Sequence, residues 1–201
     1  NVNINLGIVS FLFFAGLFLA VGEVCNMVGV VMAVPISRRI GKRSTFAVSC
    51  IGMAILSCFF FYLPCTNVGF VTMLLLQILI SVCTGIISPL IWSMYADVAD
   101  YAAIKDNTSS TGLIFSSGSM AQKFGGAIAG SAVLWLFASF GLVPNALHQT
   151  DSAILGMKLT MSYIPAAVAV IMVVIMVVYP LTKSKMKDIN AKLKDIRKIE
   201  Y

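Results

Sequence analysis

Five apolar stretches, each long enough to cross a lipid bilayer, constrain this chain more than any other feature: 6–34, 45–63, 70–96, 112–140 and 153–179. A hydrocarbon core of about 30 Å takes about 20 mostly apolar residues to cross as a helix. With 59% hydrophobic and 11% charged residues, against about 45–50% and 25% in soluble domains, the chain has too little polar surface to cover so much apolar area. The strict alternation that a lipid-facing β-barrel needs is absent from the sequence. Helices are the remaining way to satisfy every backbone amide in lipid. The expectation is an all-α polytopic membrane protein with five transmembrane helices in 1–181 and a polar tail in 182–201.

Basic residues orient the spans. Arg38, Arg39, Lys42 and Arg43 lie in the first connection and Lys105 in the third; seven more, from Lys183 to Lys198, follow the last span. The second and fourth connections, 64–69 and 141–152, carry no Lys or Arg. By the positive-inside rule the first set is cytoplasmic, so Asn1 starts outside and Tyr201 ends inside. The net charge of +6 then reports topology and contact with anionic lipid, and gives no reason to propose nucleic-acid binding.

Cys25, Cys50, Cys58 and Cys83 fall inside spans and Cys65 near the outer surface, which reads as apolar packing rather than a disulfide framework. No C-x-x-C pair or histidine cluster suggests a metal, and His148 lies in an outer connection. The chain begins with Asn and has an odd number of spans, so a further N-terminal portion is expected.

Ionisable groups at membrane depth are costly and mark water-filled paths. Glu23 sits near the middle of the first span with Asn26 three residues on, sharing a face. Lys123 lies about eleven residues into the fourth span, too deep for easy snorkelling, whereas Lys158 can lift its ammonium to the interface. The third span carries Gln77, Ser81, Thr84 and Ser88 on one helical stripe, and the fourth carries Ser116, Ser119 and Lys123. Two facing stripes would line a hydrophilic cavity; the alternative is hydroxyls bonding backbone carbonyls or joining helices. Gly126 and Gly130 form a GxxxG, which serves internal packing or a dimer, packing being the expected use in a polytopic chain. Pro35, Pro89 and Pro165 sit where they kink or end helices.

Asp97 and Asp100 share a face at the inner end of the third span, followed by Tyr101 and Lys105. One reading is a gate in which these carboxylates pair with the Arg38, Arg39, Lys42 and Arg43 loop in one conformation and part in another. Another is a Mg²⁺ and diphosphate site of an intramembrane transferase, which would want a second acidic cluster; a third is plain solvated carboxylates. In the tail, Met186, Ile189, Leu193 and Ile196 recur at helical spacing, so an amphipathic helix is expected to lie on the anionic leaflet.

The order Pro89-Leu-Ile-Trp-Ser-Met-Tyr-Ala-Asp-Val-Ala-Asp-Tyr101, then Thr111-Gly-Leu-Ile-Phe-Ser116, Gln122-Lys-Phe-Gly125, Gly141-Leu-Val-Pro-Asn145 and Leu155-Gly156 resembles the C-terminal half of the glycoside-pentoside-hexuronide:cation symporters, the melibiose-carrier-like members of the major facilitator superfamily. The basic turn Arg38-Arg-Ile-Gly-Lys-Arg43 and the exit Tyr179-Pro-Leu181 extend the resemblance over nearly the whole chain. It implies twelve helices in two bundles, with this chain supplying helices 8 to 12, and alternating access around a central sugar site. By the same resemblance Lys123, with Ser119 one turn earlier, lies in the sugar and cation region, and Asp97, Asp100 and Tyr101 match the helix-10 exit that takes part in the inner gate. The coupling cation, Na⁺ or H⁺, would bind in the absent N-terminal half, and no other cofactor is implied. Ala102, Ala103, Ser109 and Thr111 stand where many members have Gly-Glu and then Arg and Glu, so the ionic latch must be weaker or built otherwise. The family's sugar-stacking tryptophan falls at Ser88 here, with Trp92 one turn away.

Together these readings predict the C-terminal part of a sugar:cation symporter in a bacterial inner membrane, with Gln77, Thr84, Ser88, Trp92, Ser119 and Lys123, and Glu23 with Asn26, as substrate-facing candidates. No covalent chemistry is expected. A facilitator carrying another solute, a Mg²⁺-dependent transferase using Asp97 and Asp100, and a non-transporting sensor are the alternatives.

Overall fold

Each apolar stretch is helical in the computed structural model, which describes the backbone of 2–63, 67–106, 110–144, 146 and 149–199 and the side chains of 16–63, 69, 71–105, 110–144, 146 and 149–192. The order is α1 (Val2–Ile40), α2 (Lys42–Phe60), α3 (Asn67–Asp106), α4 (Thr111–Ser139), α5 (Asp151–Met161), α6 (Tyr163–Val178) and α7 (Lys183–Ile199). No strand occurs among the described residues. Helices Gly16–Ile40, Lys42–Phe60, Val71–Lys105 and Asp151–Val178 are long and apolar enough to cross a membrane. At 29 residues, or about 43 Å at 1.5 Å per residue, α4 has the length, but Gln122 and Lys123 lower its apolar character. The protein is an integral membrane protein.

Helix ends differ from the hydropathy boundaries for local reasons. Pro35 lies inside α1 without ending it, and the helix runs to Ile40. The first connection shrinks to Gly41, whose φ of 94° suits a residue without a Cβ. There the Thr45 hydroxyl donates to the Gly41 carbonyl at 2.8 Å, bracing the start of α2. At its far end α3 continues ten residues past the apolar run, to Asp106, because Ala96, Ala99, Ala102 and Ala103 sustain a helix that hydropathy cannot see. The fifth span breaks at Ser162, whose φ and ψ of −116° and −80° separate α5 from α6. Pro165 explains the break: it has no N–H for the Met161 carbonyl, and its ring crowds the preceding turn. The Ser162 hydroxyl donates to the Lys158 carbonyl at 2.5 Å and so occupies one freed acceptor.

Small residues set the packing, as expected where lipid removes the hydrophobic drive between helices. The tightest crossing is α1 on α3: a Cβ at Gly29 would collide with the Val82 carbonyl, and one at Gly85 with the Asn26 carbonyl and, at 3.1 Å, with Gly29 Cα. Behind this pair, Ala33 meets a core formed by Phe46, Cys50 and Ala54 of α2, Ile86, Ile87, Leu90 and Met94 of α3, and Ala166 and Ala169 of α6. Gly125, Gly126 and Gly130 have nothing within 4 Å of an added Cβ, so the GxxxG does not serve internal packing among the described residues. Instead α4 is seated through Gly118, where a Cβ would come within 2.5 Å of the Tyr95 ring, while its C-cap Phe140 lies against Gly156 of α5. The tail helix folds back onto the bundle, with Ile189 only 6% exposed.

Candidate functional site

Two regions carry the chemistry, one along α3 and α4 and one at the basic end. Along α3 the polar stripe divides among neighbours. Gln77 donates to the Ser81 hydroxyl at 3.3 Å, and a Cβ at Gly22 would sit 3.0 Å from the Gln77 side-chain nitrogen, so this pair turns to α1. Thr84 donates to the Ile80 carbonyl at 2.8 Å, with its hydroxyl 3.9 Å from the Met53 sulfur of α2. Ser88 is exposed and has no partner among the described residues. Trp92 stacks on Phe115 of α4 with centroids 6.3 Å apart and planes at 12°, and meets Tyr95 edge-on at 5.8 Å. Among the described residues no hydrogen bond links the α3 and α4 stripes, and an aromatic seam of Trp92, Tyr95 and Phe115 joins the two helices.

On α4, Ser116 donates to the Leu113 carbonyl at 3.0 Å, a local bond within the helix. Ser119 is half-buried and Lys123 exposed, and neither has a partner among the described residues. Nearly all of α4 around Lys123 is exposed. On α1 Glu23 is exposed and Asn26 half-buried, again without side-chain partners among the described residues. Glu23, Asn26, Ser119 and Lys123 are thus polar groups on long apolar helices that have no partner among the described residues, and such groups need water, ligand or a further helix.

At the basic end the expected pairing forms through one of the four cations the sequence offered. Lys42 Nζ lies 2.6 Å from Asp97 Oδ1 and also donates to the Ser93 carbonyl at 3.3 Å. The sequence offered Arg38, Arg39, Lys42 and Arg43 together; the carboxylate takes the lysine because the turn at Gly41 puts position 42 at the α2 start facing α3. Arg43 instead donates to the Val177 carbonyl at 2.7 Å, covering the C-terminal carbonyls of α6. Arg38 and Arg39 contribute their backbone carbonyls, which accept from Lys183 at 2.7 and 2.8 Å. Asp100 is half-buried without a partner among the described residues. Lys185 stands 5.4 Å above the Tyr101 ring, a cation–π contact that ties α7 to α3. Among the described residues Asp97 and Asp100 gather no third His, Cys, Asp or Glu as a metal cluster would.

Sequence reasoning missed the Lys183 clamp on α1 and the sealed hydroxyl of Tyr179, which has no hydrogen-bond partner among the described residues. No motif marks either; the clamp depends on α7 folding back, and Tyr179 packs against the helix core. His148 and Cys65 lie outside the described residues.

The model of the family described as MFS/sugar transport protein matches residues 7–183. The chain is 28% identical over 190 residues to a glucuronide carrier protein homolog of Escherichia coli (strain K12), covering 92% of this chain and 41% of that protein. It is 24% identical to a putative glycoside/cation symporter of the same strain, covering 88% and 38%. It is also 24% identical to a putative 2,3-dihydroxypropane-1-sulfonate exporter, covering 76% and 32%. The chain thus spans about two fifths or less of the length of these relatives. Family and relatives point to a transporter rather than an enzyme, and the chain belongs to the MFS/sugar transport family, among the glycoside-pentoside-hexuronide:cation symporters of the major facilitator superfamily.

Proposed function

We propose that this chain forms part of a sugar:cation symporter that works by alternating access, with the C-terminus cytoplasmic, in a bacterial inner membrane. The observation that carries the reading is the family match over 7–183. The exposed Lys123 and half-buried Ser119 on α4, both without partners among the described residues, support it, because a wet central cavity gives such groups the solvent and ligand they need. In this reading Lys123 and Ser119 donate to the substrate, Trp92 offers an aromatic face nearby, and the coupling cation, Na⁺ or H⁺, binds outside these residues. The Asp97–Lys42 pair closes the basic end in one state and parts in the other. Ion gradient and solute flux are linked because each ligand's binding changes the affinity for the other.

The substrate class can be drawn more finely from chemistry. A glucuronide and a dihydroxypropane sulfonate, named in two relatives, are both hydroxylated anions, and an ammonium at Lys123 suits a carboxylate or sulfonate better than a neutral glycoside. The exporter's name also supports a second reading, in which the solute moves outward. Proteoliposomes holding the complete protein, given labelled neutral glycosides, a glucuronide and the sulfonate under imposed Na⁺ or H⁺ gradients, test both. Gradient-driven accumulation with the glucuronide preferred supports symport of an acidic sugar. Transport that no gradient alters would contradict the symport reading.

A further inference from the structure

Beneath the tail helix lies a cavity of about 240 Å³, many times the ~10–15 Å³ that one water requires. Its walls come from the end of α1, the Gly41 turn, Asp97 of α3 and the first turns of α7. Four cationic side chains, Arg38, Lys42, Lys183 and Lys187, surround the one carboxylate in it. That carboxylate is already neutralised by Lys42 at 2.6 Å, and Lys183 is committed to two carbonyls of α1. The side chains of Arg38, Lys187 and Asn190 have no hydrogen bond or ion pair among the described residues, and all three residues are exposed. The cavity therefore holds an uncompensated positive field with free donors on two sides.

We propose that this cavity binds a phosphate-type oxyanion, held by Arg38 and Lys187 with Asn190 as a third donor, and supplied either by an anionic phospholipid headgroup or by free phosphate. The planar fork of Arg38 matches two oxygens of such a group, and Lys187 adds a point charge from α7. The first turn of α7 lines the cavity, so the positive end of that helix dipole favours an anion there as well. Its place at the basic end of the bundle is where anionic headgroups concentrate. The site lies apart from the α4 face discussed above and does not depend on which solute is carried.

The test uses the complete protein in nanodiscs and the double variant Arg38→Gln/Lys187→Gln, with Lys158→Gln as a basic-residue control. Thermal unfolding is followed against added inorganic phosphate in phosphatidylcholine discs at fixed ionic strength, and retained phosphatidylglycerol is weighed by native mass spectrometry from mixed discs. Stabilisation by phosphate assigns the site to a free anion; selective retention of phosphatidylglycerol assigns it to lipid. In either case the double variant should bind at least tenfold more weakly, since one charge-assisted hydrogen bond alone accounts for about that factor, with Lys158→Gln unchanged. Asn190→Leu, which alters no charge, should weaken binding by a smaller factor. The proposal is overturned if neither ligand distinguishes the double variant from the unmodified protein, or if Lys158→Gln weakens binding equally.

Discussion

Replacing Lys42 by Met strands the Asp97 carboxylate, which is 8% exposed and has no other cationic partner among the described residues. At the 2.6 Å separation of this pair, an effective dielectric of about 20 gives about 6 kcal/mol of Coulomb attraction. Desolvation of both groups offsets most of it. The two side chains keep 36% and 12% of their surface in water, which sets the pair between the ~0–1 kcal/mol of an exposed bridge and the ~3–5 kcal/mol lost on breaking a buried one. Lys42→Met should therefore cost about 2–3 kcal/mol. Asp97→Asn should cost only about 1 kcal/mol, because Lys42 keeps the Ser93 carbonyl at 3.3 Å and its access to water. The double variant should fall short of the sum by about 1–2 kcal/mol. Equilibrium unfolding of the purified protein in mixed micelles measures all three. Additive costs, or Asp97→Asn costing more than Lys42→Met, would refute the reasoning.

Three further outcomes follow from packing. Gly85→Ala drives a methyl into the Asn26 carbonyl and should destabilise by about 1–3 kcal/mol, whereas Gly126→Ala, with open space around it, should leave the melting temperature unchanged; equal effects would contradict the α1–α3 crossing. Ile189→Asp places a charge at a buried contact of α7 and should release the tail to trypsin at its lysines, while Lys185→Gln, which removes a cation–π contact worth about 0.5–1 kcal/mol, should do so only weakly. Pro165→Ala should join α5 and α6 by restoring the bond to the Met161 carbonyl, seen as slower amide exchange around Ser162; unchanged exchange would mean that the break has another cause.

Much of this fold was legible in the sequence because lipid makes the rules severe. An apolar run of bilayer length has to be helical, and the stretches that became α1, α2, α3, α4 and the α5–α6 pair follow from that alone. Hydropathy reports where the membrane ends, though, and helix propensity reports where the helix ends; at Asp97–Asp106 the two disagree, and the alanines carried α3 onward. Pairing of Asp97 with the basic turn was readable as charge complementarity. Which of four cations takes it was not, since Gly41 reduces the connection to one residue and thereby fixes the geometry. The GxxxG misled because a motif of small residues permits close approach without supplying a partner. The close approach that exists uses Gly29 and Gly85, isolated in sequence; the one available sign was Gly22 and Gly29, seven residues apart on one face of α1. Lys123 was visible as a charge within an apolar stretch, and the structure finds it exposed on α4 without a partner among the described residues.

Gradient-driven uptake of a glucuronide by the complete protein, measured beside Lys123→Ala at equal membrane abundance, bears most directly on the claim that this is a symporter with its solute against α4. The account predicts accumulation that follows an imposed Na⁺ or H⁺ gradient and is abolished in the variant, while counting of folded protein shows no loss. Undiminished uptake by Lys123→Ala would remove α4 from the substrate path, and uptake by neither protein under either gradient would contradict sugar symport itself.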